Sequence, residues 1–127
     1  MIKDPYIRKC RILKVIDGDT LEVEIDLGFN MRMTERVRLL GINCPEMKGT
    51  TKAAGEAAHY FVEEWLLDNA GPTVGEDGGI FDYGIVFMRS EKDDSFGRWL
   101  ALIETEEGLN LNQAILEAGH AVPWVKK

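Results

Sequence analysis

The chain has 127 residues, an apolar fraction of 45% and a formal net charge of −7. That length gives one domain, 1–127, with room for a real core. No run nears the ~18 apolar residues that a membrane-spanning helix needs. Two distant cysteines, Cys10 and Cys44, make neither a disulfide framework nor a metal-ligand spacing.

The start, Met1 to Tyr6, reads as a tail without an apolar leader, so a reduced, cytoplasmic protein with no membrane contact is expected. The charge is uneven. Residues 1–52 carry ten basic and eight acidic side chains, a net of +2, and residues 53–127 carry five and fourteen, a net of −9. An acidic whole disfavours non-specific polyanion binding. If the chain handles nucleic acid, a local basic surface in the first part must do it.

In chain order, a strand is expected from about Lys9 to Ile16. Asp17-Gly18-Asp19-Thr20 then marks a hairpin turn, in which Gly18 supplies positive φ. Thr20 to Asp26 alternates, with Leu21, Val23 and Ile25 on one face and Glu22 and Glu24 on the other. Gly28-Phe29-Asn30 interrupts, and a third strand runs from Met33 to Leu40. Gly41 and Pro45 then take the chain off the sheet into a loop that carries Arg38, Asn43 and Glu46 close to one strand end. After a basic loop at Lys48, Ala53 to Leu67 reads as an amphipathic helix, with Ala54, Ala57, Ala58, Phe61, Val62, Trp65 and Leu66 inward.

Residues 70–84 are rich in glycine and acid and read as a loop or irregular hairpin; with no Gly-Lys-Ser/Thr ending they are no phosphate-binding P-loop. A fourth strand follows at Ile85 to Met88, then an acidic turn from Ser90 to Ser95, and a fifth strand over Phe96 to Ile103. Asn110 or Asn112 caps a short helix through Ala118, closed by Gly119. Five strands with a long helix after the third make an α+β, mainly β fold: an OB-like Greek-key barrel with a short C-terminal helix and a core spanning about 9–124. His59 and His120 lack a partner acid at metal spacing and are read as structural or exposed. No residue is nominated as a base for Cys44, which excludes a Cys-His hydrolase.

Several pieces together carry a resemblance: Val15-Ile16-Asp17-Gly18-Asp19-Thr20, Arg38 to Glu46, Gly55-Glu56-Ala57, Asp94 to Ala101, Leu111-Asn112 and Gly119-His120-Ala121. In this order the chain resembles the staphylococcal nuclease (thermonuclease-like) family over roughly Lys9 to Trp124. The resemblance implies a calcium-dependent endonuclease, acting as a monomer on single-stranded or loosened DNA or RNA. It makes Asp19, Asn43 and the backbone carbonyl of Cys44 metal ligands, and Glu46 the base that activates water. Arg38 and Arg98 would grip the scissile phosphate, with Lys48, Phe96 and Trp124 touching the substrate. Three positions depart from the family pattern: Asn43 stands where an Asp is frequent, Cys44 where a hydroxyl residue or small side chain stands, and Phe96 where the type member has a Tyr. The alternative is a non-catalytic OB-type module that binds nucleic acid or protein.

Overall fold

The computed structural model describes residues 7–71, 73–74, 80–81, 83–92 and 99–124. Strands β1 (Ile7–Asp17), β2 (Thr20–Gly28) and β3 (Met31–Leu39) form an antiparallel meander. β4 (Ile42–Asn43) is two residues long. A 3₁₀ turn, Gly49–Thr51, leads into α1 (Lys52–Asn69). A small ribbon of β5 (Thr73–Val74) and β6 (Ile80–Phe81) precedes β7 (Ile85–Lys92) and β8 (Trp99–Glu104). α2 (Leu111–Glu117) and β9 (Val122–Pro123) follow.

Five strands close a barrel in the order β1-β2-β3-β8-β7. β3 runs parallel to β8, with Val37 opposite Trp99 and Leu39 opposite Ala101, and this pair closes the barrel. This is the OB-like plan that the strand order and the inserted helix imply. The alternation of β2 is realised as expected: Leu21, Val23 and Ile25 are buried and meet Ile12, Val37, Leu39, Met88 and Ile103 in the core. β1 bends around that core at register shifts between Ile12 and Lys14 and between Val15 and Asp17.

Several elements differ from the sequence reading. β3 starts at Met31, because Phe29 and Asn30 both take left-handed φ (54° and 63°) and turn the hairpin in two residues. β7 continues to Lys92, so Ser90 to Lys92 belong to a strand paired with Trp99 to Ala101 instead of to a turn. The rest of that turn, with Phe96 and Arg98, lies outside the described residues. Gly18 is not among the residues with positive φ. Its role is room: a Cβ there would lie 2.7 Å from the Cβ of Ala58 and 2.9 Å from the Sγ of Cys44.

Helix α1 also buries a narrower stripe than expected. Gly55, Ala58, Val62 and Leu66 face the core, Phe61 and Trp65 flank it, and Ala54 and Ala57 are exposed. Small residues at 55 and 58 let the helix lie close under two loops. A Cβ on Gly55 would come 2.5 Å from the carbonyl oxygen of Glu46. His59, on the same helix, has Nε2 2.9 Å from the carbonyl of Val15 and Nδ1 3.1 Å from Glu63, so it ties α1 to β1 as a structural residue. His120 packs on Phe61, ring centroids 5.0 Å apart.

Of the two candidate caps, Asn110 is the one used: its side chain accepts from the backbone N–H of Gln113 at 3.0 Å. Asn112 is buried and does something else. Its Nδ2 donates to the carbonyls of Leu40 (2.8 Å) and Ala101 (2.9 Å), and its Oδ1 accepts from the N–H of Ile103 (3.2 Å). One side chain thus pins the end of β3 to β8, at the point where the chain leaves for Asn43 and Glu46. Replacing it by alanine takes this partner from the Leu40 carbonyl and the Ile103 N–H, while the Ala101 carbonyl keeps the Leu40 N–H at 2.8 Å; each buried group left unpaired costs ~1–3 kcal/mol. Asn112→Ala is therefore expected to lower stability by about 3 kcal/mol, whereas Asn110→Ala removes only a cap, worth ~1 kcal/mol. Urea unfolding of the two variants side by side checks this; equal losses would show that the buried amide is not the clamp described.

Candidate active site

The site is built on one strand end and two loops. Arg38 is the outward-facing residue between the buried Val37 and Leu39, opposite Thr20 across the β2–β3 ladder. The β1–β2 turn brings Asp19 alongside, and the backbone N–H of Leu39 donates to the carbonyl of Asp19 at 2.8 Å. β4 then returns across the strand end. Its two-residue pairing with β9, Ile42 to Pro123 and Asn43 to Val122, holds Asn43 in place and carries Trp124 onto the site. The N–H of Trp124 donates to the carbonyl of Gly41 at 2.9 Å.

Around Arg38 these pieces make one constellation. Its Nη2 donates to Asn43 Oδ1 at 2.7 Å and lies 3.9 Å from Asp19 Oδ2. Its guanidinium carbon sits 5.0 Å from the ring centroid of Trp124, a cation–π distance. Arg38 Nε is buried and has no partner among the described residues. A buried donor left unpaired is costly, and such groups are uncommon in native structures. Oxygens on one side and an aromatic plane on the other leave the guanidinium little rotamer freedom. A group that must meet a developing negative charge without reorganising needs that kind of support.

Asp19 is nearly buried and shares its two oxygens differently. Oδ2 accepts from the N–H of Cys44 at 3.0 Å, and Oδ1 accepts from the hydroxyl of Thr20 at 3.3 Å. The N–H of Asp19 in turn donates to Asp17 Oδ1 at 3.0 Å. Burial, with the neighbouring Asp17 carboxylate in support, pushes the Asp19 carboxyl up to about 6; the Cys44 N–H and Arg38 oppose the shift but do not cancel it. Asp17 was read only as a turn residue, and its influence on Asp19 is legible in hindsight from the Asp-x-Asp spacing. Burial likewise pushes the Cys44 thiol up to about 12, so it is an inert side chain whose backbone does the work.

Glu46 and Lys48 stand apart from this cluster. Their side chains are 73% and 81% exposed and pair with each other at 3.9 Å. The backbone of Glu46 is fixed all the same: its carbonyl accepts from the hydroxyl of Thr51 at 2.8 Å, and Gly55 packs beneath it. Between Asn43 and Thr51 lies an open cleft of about 590 Å³. Trp124, expected to touch substrate, lies over the guanidinium of Arg38. Arg98 and Phe96 lie outside the described residues. Among the described residues no group of three His, Cys, Asp or Glu side chains converges as a metal cage.

The raised pKa of Asp19 has a sign that can be tested. The folded value of about 6 exceeds the unfolded value of ~3.9, so the charged form is disfavoured in the native state. Its contribution is fully present below pH ~4 and is lost as pH rises through about 6. Two pKa units correspond to ~3 kcal/mol. Asp19→Asn keeps an oxygen for the Cys44 N–H and removes the charge. In chelator, the variant is expected to be more stable than the parent at pH 7.5, by about 2 kcal/mol, and equal to it near pH 4. Urea melts at both pH values check this; a variant less stable at pH 7.5 would mean that Asp19 is held as a favourable ion pair with Arg38.

Comparisons with known proteins agree with this geometry. Residues 36–127, which include Arg38, Asn43, Glu46 and Trp124, match the family model described as staphylococcal nuclease homologue. Two relatives, each called an uncharacterized endonuclease, come from Escherichia coli O157:H7 and Escherichia coli. Each is 30% identical over 115 residues, covering 91% of this chain. The chain spans 59% of the length of those relatives. With the closed barrel and the clustered Asp19, Arg38 and Asn43, the family match leads to one conclusion: the chain belongs to the staphylococcal nuclease homologues.

Proposed function

We propose that the chain is a calcium-dependent endonuclease that hydrolyses phosphodiester bonds in single-stranded or loosened DNA and RNA. The observation that carries this reading is the guanidinium of Arg38, held between Asp19 and Asn43 under the ring of Trp124. A phosphate approaching that strand end meets a fixed, charged donor, and the same donor stabilises the extra charge of the pentacoordinate transition state. Glu46, on a clamped backbone at the edge of an open cleft, is assigned as the base that takes the proton of the attacking water. Arg98 is assigned as a second phosphate donor on the strength of the family resemblance. Lys48 and Phe96 are assigned to the substrate's flanks.

Calcium takes oxygen ligands, and the side-chain oxygens that meet here, from Asp19 and Asn43, are of that kind, with the carbonyl of Cys44 next to Asn43 in the chain. The set fits a hard cation, with only one formal negative charge. Bound there, the ion would polarise a phosphoryl oxygen. A second reading has its own support: Asn43 is neutral and its oxygen already accepts from Arg38. A barrel that keeps the arginine but binds the cation poorly would be a nucleic-acid-binding module.

Cleavage of labelled single-stranded DNA with calcium, and then with chelator, separates the two. In the nuclease reading Glu46→Gln folds as the parent does, since the side chain is exposed, and lowers turnover by about 10²–10⁴-fold with KM nearly unchanged. Tight binding without cleavage at any pH would instead select the module.

The position that departs from the family pattern gives a further test. Asn43→Asp adds a charge that attracts the cation and turns the 2.7 Å bond from Arg38 into an ion pair. Calcium affinity is expected to rise by on the order of tenfold, the equivalent of ~1.4 kcal/mol. Because Arg38 offsets the repulsion from Asp19, metal-free stability should change by less than about 1 kcal/mol. Calorimetric titration of both proteins in one buffer decides it. Equal affinities would mean that position 43 serves Arg38 and not the metal.

A further inference from the structure

We infer that the end of the barrel opposite Arg38 is a docking surface for an anionic lipid membrane, and that the tip of the β2–β3 hairpin is the part that enters the lipid interface. The surface stands whether or not the chain cleaves.

Exposed apolar residues collect at this end. Of the nine large apolar side chains exposed among the described residues, Leu27, Phe29, Met31 and Met33 share the β2–β3 hairpin, and Ile7 makes a fifth. Ile7 stands three residues beyond Cys10 on β1, as Gly28 stands three beyond Ile25, the residue paired with Cys10. Apolar residues scattered singly over a surface need no explanation, whereas a contiguous group marks a protein or membrane contact. Met33 pairs with the buried Ile25, so the face that makes core lower in the barrel runs on past it uncovered. Among the described residues, β2 past Ile25 and β3 before Val37 pair only with each other, which leaves the hairpin projecting.

Phe29 is the outermost of the group. It is 98% exposed, and its φ of 54° forms the two-residue turn together with Asn30. Such turns favour Asn and Gly, and a bulky side chain in left-handed backbone is strained. The ring gains no packing within the chain to offset that strain. Strain of this kind collects at functional positions.

The charges around the tip choose the occupant. Arg8 and Lys9 are exposed on β1 beside the apolar group. Lys9 lines one shallow depression with Asp26 and Arg32 of the hairpin, and Arg89 stands opposite Ile7 on β7. Four bases and one acid give this rim a net of +3 in a chain whose net charge is −7. The next pair inward, Arg11 with Glu24 at 3.4 Å, adds no net charge. A second copy docked about a two-fold axis would set these bases against their own kind. A protein partner would need a pocket around the projecting tip, while lipid closes round any convex shape. Anionic headgroups supply the complementary charge and attract each nearby Lys or Arg. From Met31 to Arg38 the strand covers ~24 Å at ~3.4 Å per residue, so docking at the tip leaves Arg38 and its cleft facing the solution.

Flotation with large vesicles, in chelator so that calcium cannot bridge carboxylates to lipid, tests the surface. Vesicles of phosphatidylcholine mixed with phosphatidylserine are expected to bind the wild type about tenfold better than phosphatidylcholine alone, a difference that salt reduces. Phe29→Asn is expected to weaken binding to the mixed vesicles about tenfold, yet to raise the melting temperature, because asparagine suits the left-handed turn. Arg8→Gln with Lys9→Gln should weaken binding to the mixed vesicles about tenfold and leave binding to phosphatidylcholine alone unchanged. Tyr60→Ser, which removes an exposed aromatic from α1, should change neither. A wild type that floats with neither vesicle overturns the lipid assignment, and so does a Phe29→Asn variant that floats as the parent does. Self-association without lipid that Phe29→Asn abolishes, read by sedimentation, would make a second copy the occupant and overturn it as well.

Discussion

The site depends on how closely α1 can approach two loops. Where the helix passes under the Asp17–Thr20 turn it presents Ala58, and the turn answers with Gly18; where it passes under the loop after β4 it presents Gly55 to the carbonyl of Glu46. At neither crossing is there space for a larger side chain. Because both contacts are backbone-close, the turn carrying Asp19 and the loop carrying Glu46 are referenced to one rigid helix. The bond from the Cys44 N–H to Asp19 Oδ2 then joins the two loops directly. Fixed backbones with supported side chains are what a preorganised site requires.

The electrostatics follow from that packing. Closing the loops over Asp19 removes water from it, and its carboxyl rises although Arg38 is 3.9 Å away. Desolvation outweighs attraction because the arginine is shared: its shortest contact is with the neutral oxygen of Asn43, and its face is turned to Trp124. Asp19 is thereby a carboxylate held in its less comfortable form near neutral pH, which any cation arriving at the site would relieve. Asn43 contributes orientation without charge.

The barrel could be read from the sequence because its signals are local. Leu21, Val23 and Ile25 alternate over a whole strand, Asp-Gly marks the first turn, and the helix has a long apolar stripe. The site was legible where short motifs held it together: Asp19, Arg38 and Asn43 meet as expected. What escaped was set by distant neighbours. The β4–β9 ribbon is two residues long and has no periodicity to detect, so nothing in the sequence brought Trp124 to Arg38. Gly18 was explained by φ when its cause is the Cβ of Ala58, forty residues on. Ala54 and Ala57 were placed inward on helical spacing, but the helix contacts the barrel along a narrower line. Asn112, read as a possible cap, turned out to bind three backbone groups from two strands that no local pattern connects to it.

On the proposed reading, an acidic chain has to reconcile its net charge with a polyanionic substrate. Repulsion from −7 charges is screened beyond ~8–10 Å at ordinary salt, so the local surface around the site decides whether a strand can approach. The meander concentrates bases there. β1 and β3 carry them, β2 carries acids between them, and Arg38 ends the β3 row. The acids on β2 keep the folded chain from bearing six adjacent unpaired bases. On that reading the acidic remainder, including the exposed Glu56 and Glu64 of α1, disfavours contact between nucleic acid and the rest of the protein.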